Sequence, residues 1–272
     1  MHAFVNNRMT EVLIFLHRPR VRSIVQRVPI AGRVYAGYRR KHPFDREFGT
    51  DTGGFKAAGT EEAGEGGTEP SGLFYIGSQP SIVRTVLSLI PHPEQKHLID
   101  IGCGKGRVLL CAGQMPFRSI TGIEIDADLV RVAQRNLATM HPSGSEKRIH
   151  AVHQDVGEYQ WPPGDIVVFN YHSLGKPLLE AVVSRLRERE MKGGSTYFIY
   201  YNPVWADVLD GESWLTRWYA ETLPYSRSEI GYGTDVDDAV VIWSSDGVDT
   251  LSDQRRRREV VEVLPGLRVV LK

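Results

Sequence analysis

The chain has 272 residues, 41% of them hydrophobic, enough to bury the core of one large α/β domain with appendages. No apolar run reaches the ~18 residues of a membrane span, and only two cysteines, Cys103 and Cys111, are present, which excludes a disulfide scaffold. The formal net charge is zero, but it is unevenly spread.

Residues 1–43 hold nine basic side chains, Arg8, Arg18, Arg20, Arg22, Arg27, Arg33, Arg39, Arg40 and Lys41, against the single acid Glu11, leaving 24 basic and 32 acidic residues beyond. Val12, Leu13, Phe15 and Leu16, then Val21, Ile24, Val25 and Val28, recur at helical spacing, so one or two basic amphipathic helices are expected here. Three uses stay open. The preferred one is a cap packed on the main domain, because the basic head opposes an acidic body. Contact with nucleic acid or anionic lipid and a cleaved transit peptide are the others. Val12–Leu16 is too short for a signal-peptide core, and two thiols without metal-like partners fit a reducing compartment, so a cytoplasmic location is expected.

Phe44–Phe55 leads into Ala57–Gly72, too rich in Gly and Glu to bury anything. Pro80 and Ser81 then mark a helix start, with Ile82, Val83, Val86, Leu87 and Ile90 on one face. Strands are expected at 97–101, 119–123, 149–153, 165–169 and 195–201, alternating with helices near 106–114, 127–140 and 176–191. An irregular helical stretch at 203–215, strands near 217–223 and 238–244, and two short strands around Pro265-Gly266 complete the chain. The organisation is therefore a basic helical extension over 1–56, a linker over 57–72, a ligand-binding domain over 73–248 and a β extension over 249–272.

The stretch His97–Leu110 reads strand, glycine turn, helix, with Gly102, Gly104 and Gly106 at alternate positions. Such turns bring backbone close to a nucleotide, and a Cβ would obstruct both turn and ligand. A dinucleotide fingerprint would need its third glycine at position 107, which is Arg107. The pattern is instead D-x-G-x-G-x-G, whose Asp100 would repel a pyrophosphate and suits a ligand with a cationic group. Two further acids, Glu124 and Asp155, stand after the second and third strands, where the crevice of an open α/β sheet lies. Glu124 follows Gly104 by 20 residues, the place of a ribose-binding acid, while Asp126 is the better helix cap. The fourth strand ends in Asn170-Tyr171-His172, and the fifth in Tyr200-Tyr201-Asn202-Pro203.

LIDIGCGKGRVLL, with FDREFGTDTGGF, YIGSQPS and GIEIDADLVRVAQRNL, resembles motif I and its surroundings in class I S-adenosylmethionine-dependent methyltransferases of bacteria, and more distantly protein-lysine methyltransferases. The likeness covers roughly 44–245. It implies a doubly wound, mostly parallel seven-stranded Rossmann-like sheet with an N-terminal helical extension. It implies S-adenosyl-L-methionine as cofactor and no metal. Asp100, Gly102, Cys103, Gly104 and Gly106 would hold the methionine moiety and Glu124, with Ile125 beside it, the ribose. Asp155 would receive the adenine amino group and Val156 would meet the ring. Asn170 would border the cofactor and, with Tyr171 and His172, form the catalytic rim, His172 as a general base. Amine methyltransferases carry Pro-Pro after such an asparagine, and this chain does not. The acceptor stays open, an N- or O-nucleophile on a small molecule or a protein side chain. The alternative is a cofactor-binding protein without transfer activity. A nicotinamide oxidoreductase is opposed by Asp100 and Arg107.

Overall fold

The computed structural model describes residues 41–57, 74–140, 148–233, 236–246, 260–264 and 267–270. The readings placed on the head up to residue 40, on linker residues 58–72 and on the Arg255–Arg258 run lie outside them.

A short helix, α1 (Pro43–Phe48), opens the described chain just after the basic run, inside the extension expected over 1–56, although no helix of its own was read there. Pro43 fits its first turn, and Gly49 stops it in the left-handed region at φ 69°. His42 caps it, its Nδ1 accepting from the Phe44 amide at 3.1 Å. Strand β1 (Phe55–Ala57) pairs antiparallel with β2 (Phe74–Ile76), so residues assigned to the extension share a small sheet with the start of the domain. Helix α2 (Pro80–Ser88) follows and buries Ile82, Val83, Val86 and Leu87, the stripe read at helical spacing.

The alternation expected from sequence then unfolds in order. It runs β3 (His97–Ile101), α3 (Arg107–Gly113), β4 (Ser119–Glu124), α4 (Ala127–Met140), β5 (Ile149–His153), β6 (Ile166–Tyr171), α5 (Lys176–Glu190) and β7 (Thr196–Tyr201). Next come α6 (Ala206–Asp210), to which the irregular 203–215 stretch condenses, then β8 (Thr216–Pro224) and β9 (Asp237–Ser244). A hairpin of β10 (Val260–Leu264) and β11 (Leu267–Val270) ends it. Asp126 does cap α4, its Oδ1 accepting from the amides of Asp128 at 2.8 Å and Leu129 at 3.2 Å.

Seven strands form one sheet in the order β5-β4-β3-β6-β7-β9-β8. Strands β3 to β7 are parallel, and β9 runs antiparallel to both of its neighbours. Helices α2, α3 and α4 cover one face and α5 and α6 the other, each over its own apolar cluster. Burial on both faces explains why Val167–Phe169 and Tyr197–Tyr201 read as unbroken apolar runs rather than alternating ones. The strand order reverses between β3 and β6. The carboxyl ends of these two strands therefore flank the crevice where an open α/β sheet takes its ligand.

Candidate functional site

The turn after β3 is held against β4 first by backbone: the amides of Gly102 and Cys103 both donate to the Ile123 carbonyl, at 2.8 and 3.0 Å. Gly102 has φ 71°, and a Cβ there would lie 2.4 Å from the Ser173 Cβ, so the β6–α5 loop closes directly over the turn. Gly122, on β4, is as constrained, because its Cβ would sit 2.6 Å from Cys103 Sγ. The Cys103 side chain is thus turned inward under the turn, and burial pushes its thiol pKa up.

Asp100 lies at the crevice floor, 2% exposed, and its Oδ2 has no hydrogen-bond partner. Burial, and then the Glu124 charge, raise its pKa well above the usual carboxylate range. An orphaned buried carboxyl oxygen beside a glycine turn is costly in isolation, and a hydrogen-bonding or charged partner is what it lacks.

Glu124, at the end of β4, is 8% exposed and holds two backbone amides. Its Oε2 accepts from Gly104 at 2.9 Å and its Oε1 from Asp126 at 3.0 Å. It therefore joins the glycine turn to the start of α4, and each oxygen keeps a further lone pair able to accept. Ile125 beside it is 67% exposed, one of two large apolar side chains so exposed among the described residues. One strand further out, Asp155 is exposed and caps its own turn, Oδ1 accepting from the Gly157 amide at 2.7 Å. Val156 is buried, and Arg185 Nη1 holds its carbonyl at 3.1 Å. Its side chain packs into the α5-side core.

Across the crevice, Asn170 is fully buried, its Oδ1 accepting from the Ser173 amide at 3.0 Å. Tyr171 and His172 diverge. Tyr171 stacks on Tyr201 with ring centroids 4.2 Å apart, and its hydroxyl meets the Asn202 side chain. His172, at φ 41°, lies 3.2 Å by Nδ1 from the Tyr200 hydroxyl, and burial of part of its ring lowers its pKa. Behind Tyr171, Asp238 Oδ2 accepts from the hydroxyls of Tyr201 and Tyr225, both at 2.6 Å, and Oδ1 accepts from Asn202 Nδ2 at 3.0 Å. Burial raises the pKa of Asp238, while these three donors oppose the rise.

Several neighbours of the crevice were not found from sequence. Arg107, noticed only as the missing third glycine, is 4% exposed and reaches away from the turn. It donates to the Thr52 hydroxyl at 2.9 Å, the Thr52 carbonyl at 2.7 Å and the Ser78 carbonyl at 2.8 Å. Lys105 Nζ donates to the Gly53 carbonyl at 2.8 Å, and Asn136 brackets Asp51 with its amide oxygen at 2.8 Å and nitrogen at 2.9 Å. The strap of residues 50–54 is thereby fixed beside the glycine turn. Glu229 caps α2 from the far side of the sequence, accepting from the Ser81 amide at 2.9 Å and from the Ser81 hydroxyl. Asp45 on α1 is a further such neighbour, and its Oδ1 accepts from Thr52 N at 2.8 Å and Thr52 Oγ1 at 2.6 Å.

Among the described residues, no three His, Cys, Asp or Glu side chains are grouped to hold a metal ion, and no helix is long and apolar enough to cross a membrane.

Residues 98–194 match the protein family described as "Methyltransferase domain". Among curated proteins nothing matches. Among solved structures, the chain is similar to magnesium protoporphyrin IX methyltransferase (ChlM) from Synechocystis PCC 6803 with bound SAM, at 13% identity over 61% of this chain and 77% of that one, TM-score 0.44. It is similar to 23S rRNA methyltransferase ErmE, at 14% identity over 64% and 71%, TM-score 0.45. A third such structure is the glycopeptide N-methyltransferase MtfA complexed with S-adenosyl-L-methionine, at 13% identity over 62% and 87%, TM-score 0.44.

Proposed function

We propose that the chain is a class I S-adenosylmethionine-dependent methyltransferase that moves the cofactor's methyl group to a nucleophile held beside Asn170, Tyr171 and His172, a reading supported by the methyltransferase-domain match over residues 98–194. The cofactor supplies a methyl already activated on a cationic sulfur, so the chain's work is to align the nucleophile and exclude water.

The single observation that carries this reading is the unpartnered Asp100 Oδ2 at the crevice floor. Its chemistry fits the ammonium of the methionine moiety, which sets Asp100 and the turn of Gly102, Cys103, Gly104 and Gly106 at that end. Cys103 would contribute through its backbone, since its side chain packs inward against Gly122. Glu124 would take the ribose hydroxyls on its free lone pairs. The exposure of Ile125 supports a flat ring lying over it, with Asp155 at the adenine amino group and Val156 behind. On the acceptor side, Asn170 borders the cofactor, Tyr171 forms one wall and His172 the other.

Calorimetry with S-adenosylhomocysteine and with NAD tests the cofactor assignment, and labelled methyl transfer into a cell extract tests catalysis. The reading predicts binding of the first ligand alone, followed by transfer. Binding of NAD instead, or binding of S-adenosylhomocysteine with no transfer to any extract, refutes it.

A further inference from the structure

We infer that Asn170 presents its Nδ2 hydrogens, not its oxygen, to the methyl acceptor, and that the acceptor is a carboxylate. This rests on the methyl-transfer reading above and narrows it to one substrate class.

The orientation of the amide follows from a backbone group. Ser173 N–H can only donate, and it lies 3.0 Å from Asn170 Oδ1. The reverse orientation would set two donors against each other at that distance. The Ser173 hydroxyl lies 2.7 Å from the same oxygen and 2.8 Å from the Ile101 carbonyl, and its one hydrogen serves either of them. Asn170 Oδ1 therefore faces the Ser173 backbone within the β6–α5 loop, and Nδ2 is the end of the amide turned elsewhere. Nδ2 is the reverse case, buried and with no partner, on a side chain of 0% exposure. A buried donor of this kind is a lasting cost unless an oxygen or another lone pair meets it. Its place is fixed as well. Asn170 is the register partner of Ile101, the last residue before the glycine turn, so the donor stands at the β3–β6 reversal.

The titratable groups around the acceptor side favour a nucleophile that arrives already ionised. Burial weakens His172 as a base, Tyr171 is held protonated, and Asp238 is occupied by two tyrosine hydroxyls and Asn202. Asp207 is paired with Lys176 at the rim. A carboxylate needs no proton removed. Its oxygen lone pair forms the new C–O bond as the methyl–sulfur bond breaks, and the breaking pair returns to sulfur. The products are a methyl ester and S-adenosylhomocysteine, with Nδ2 donating to the carboxylate oxygen throughout.

The test uses the full chain, S-adenosylmethionine labelled in its methyl group, and a cell extract as acceptor source. Carboxyl methyl esters release methanol in mild alkali, whereas methylated amines and ethers do not. The expected result is label released as methanol. In parallel, Asn170→Asp replaces the donor with an acidic oxygen and should lower transfer about thirtyfold or more, with S-adenosylhomocysteine affinity within about threefold of the parent. Alkali-stable label overturns the carboxylate while leaving methyl transfer intact. Full transfer by Asn170→Asp overturns the donor role. A loss of S-adenosylhomocysteine affinity above about tenfold, with an unchanged melting curve, assigns Nδ2 to the cofactor and also overturns it. A parent chain that binds S-adenosylhomocysteine but transfers nothing refutes the methyl-transfer reading itself, and this proposal with it. The alkali result is read on the parent chain, so it stands even if the variant folds poorly.

Discussion

Arg107 grips two polar groups of Thr52: Nε donates to its hydroxyl at 2.9 Å and Nη2 to its carbonyl at 2.7 Å, across 55 positions of sequence. The same guanidinium reaches the Ser78 carbonyl, so α3 holds two separate segments against the crevice with one side chain. Lysine has the charge but not the planar fork. Arg107→Lys should leave at least one buried carbonyl unpaired, costing about 2–4 kcal/mol, or roughly 5–15 °C in melting temperature for a chain of this size. A melting curve checks the loss. A variant that melts with the parent would show that the strap is held by Lys105 and Asn136 instead.

Glu124 has two tasks that a single substitution separates only in part. Its oxygens secure the amides of Gly104 and Asp126, and its remaining lone pairs are proposed for the ribose. Glu124→Ala should therefore lower both stability and S-adenosylhomocysteine affinity, the latter by about tenfold or more, as expected for charge-assisted bonds. Parallel calorimetry and melting give the two effects. Parental affinity in the variant would remove the ribose assignment.

The raised pKa of Asp100 has opposite signs for folding and for binding. The unfolded chain ionises this carboxyl more readily than the folded one, so Asp100 lowers the stability of the free protein as pH rises from the ordinary carboxylate range through its raised folded value. A cationic ligand needs the ionised form, so affinity should rise over that same interval, with a proton released on binding. Calorimetry in two buffers of different ionisation enthalpy counts that proton. Asp100→Asn should abolish the release, stabilise the free chain and weaken binding about tenfold or more. Identical heats in both buffers for the parent would mean that the carboxyl is already ionised before the ligand arrives.

Gly122 is a test of close packing rather than of chemistry. Its Cβ would meet Cys103 Sγ at 2.6 Å, Cys103 Cβ at 2.7 Å and Leu109 Cδ1 at 2.7 Å. Gly122→Ala should displace the turn from β4, cost about 1–3 kcal/mol and reduce S-adenosylhomocysteine affinity while the sheet persists. Circular dichroism alongside calorimetry reads both. An alanine variant with parental affinity would show that the turn tolerates the shift.

The sheet was legible because its physics is local. Runs such as Ile166–Phe169 declare a strand covered on both sides, and Asp126 before Leu129, Val132 and Ala133 declares a helix start. The positions of the glycine turn and of the acids at the ends of β3, β4 and β5 were legible for the same reason, since each sits at a strand end that its own apolar run locates. What stayed hidden depends on partners that carry no side-chain signature. Arg107 is bound mainly by backbone carbonyls, which any residue supplies. Glu229 caps Ser81 from 148 positions away. Gly122 owes its constraint to Cys103 and Leu109 folding back beneath it. The short helix Pro43–Phe48 was masked because the basic run before it dominated the reading of its surroundings.

The reversed direction of β9 has a consequence for the chain as it is made. Strand β7, with the sequence TYFIYY, is buried at every position, and the backbone groups of its outer edge are met by β9 and by Ser245 just beyond it. A nascent chain ending before residue 237 would present that aromatic edge unpaired, with the Tyr201 and Tyr225 hydroxyls lacking their shared carboxylate on Asp238. An open, uncharged strand edge is a template for pairing with other chains. The last strand of the sheet to leave the ribosome is thus the one that shields it, and truncation upstream of Asp237 should yield aggregates rather than a smaller folded domain.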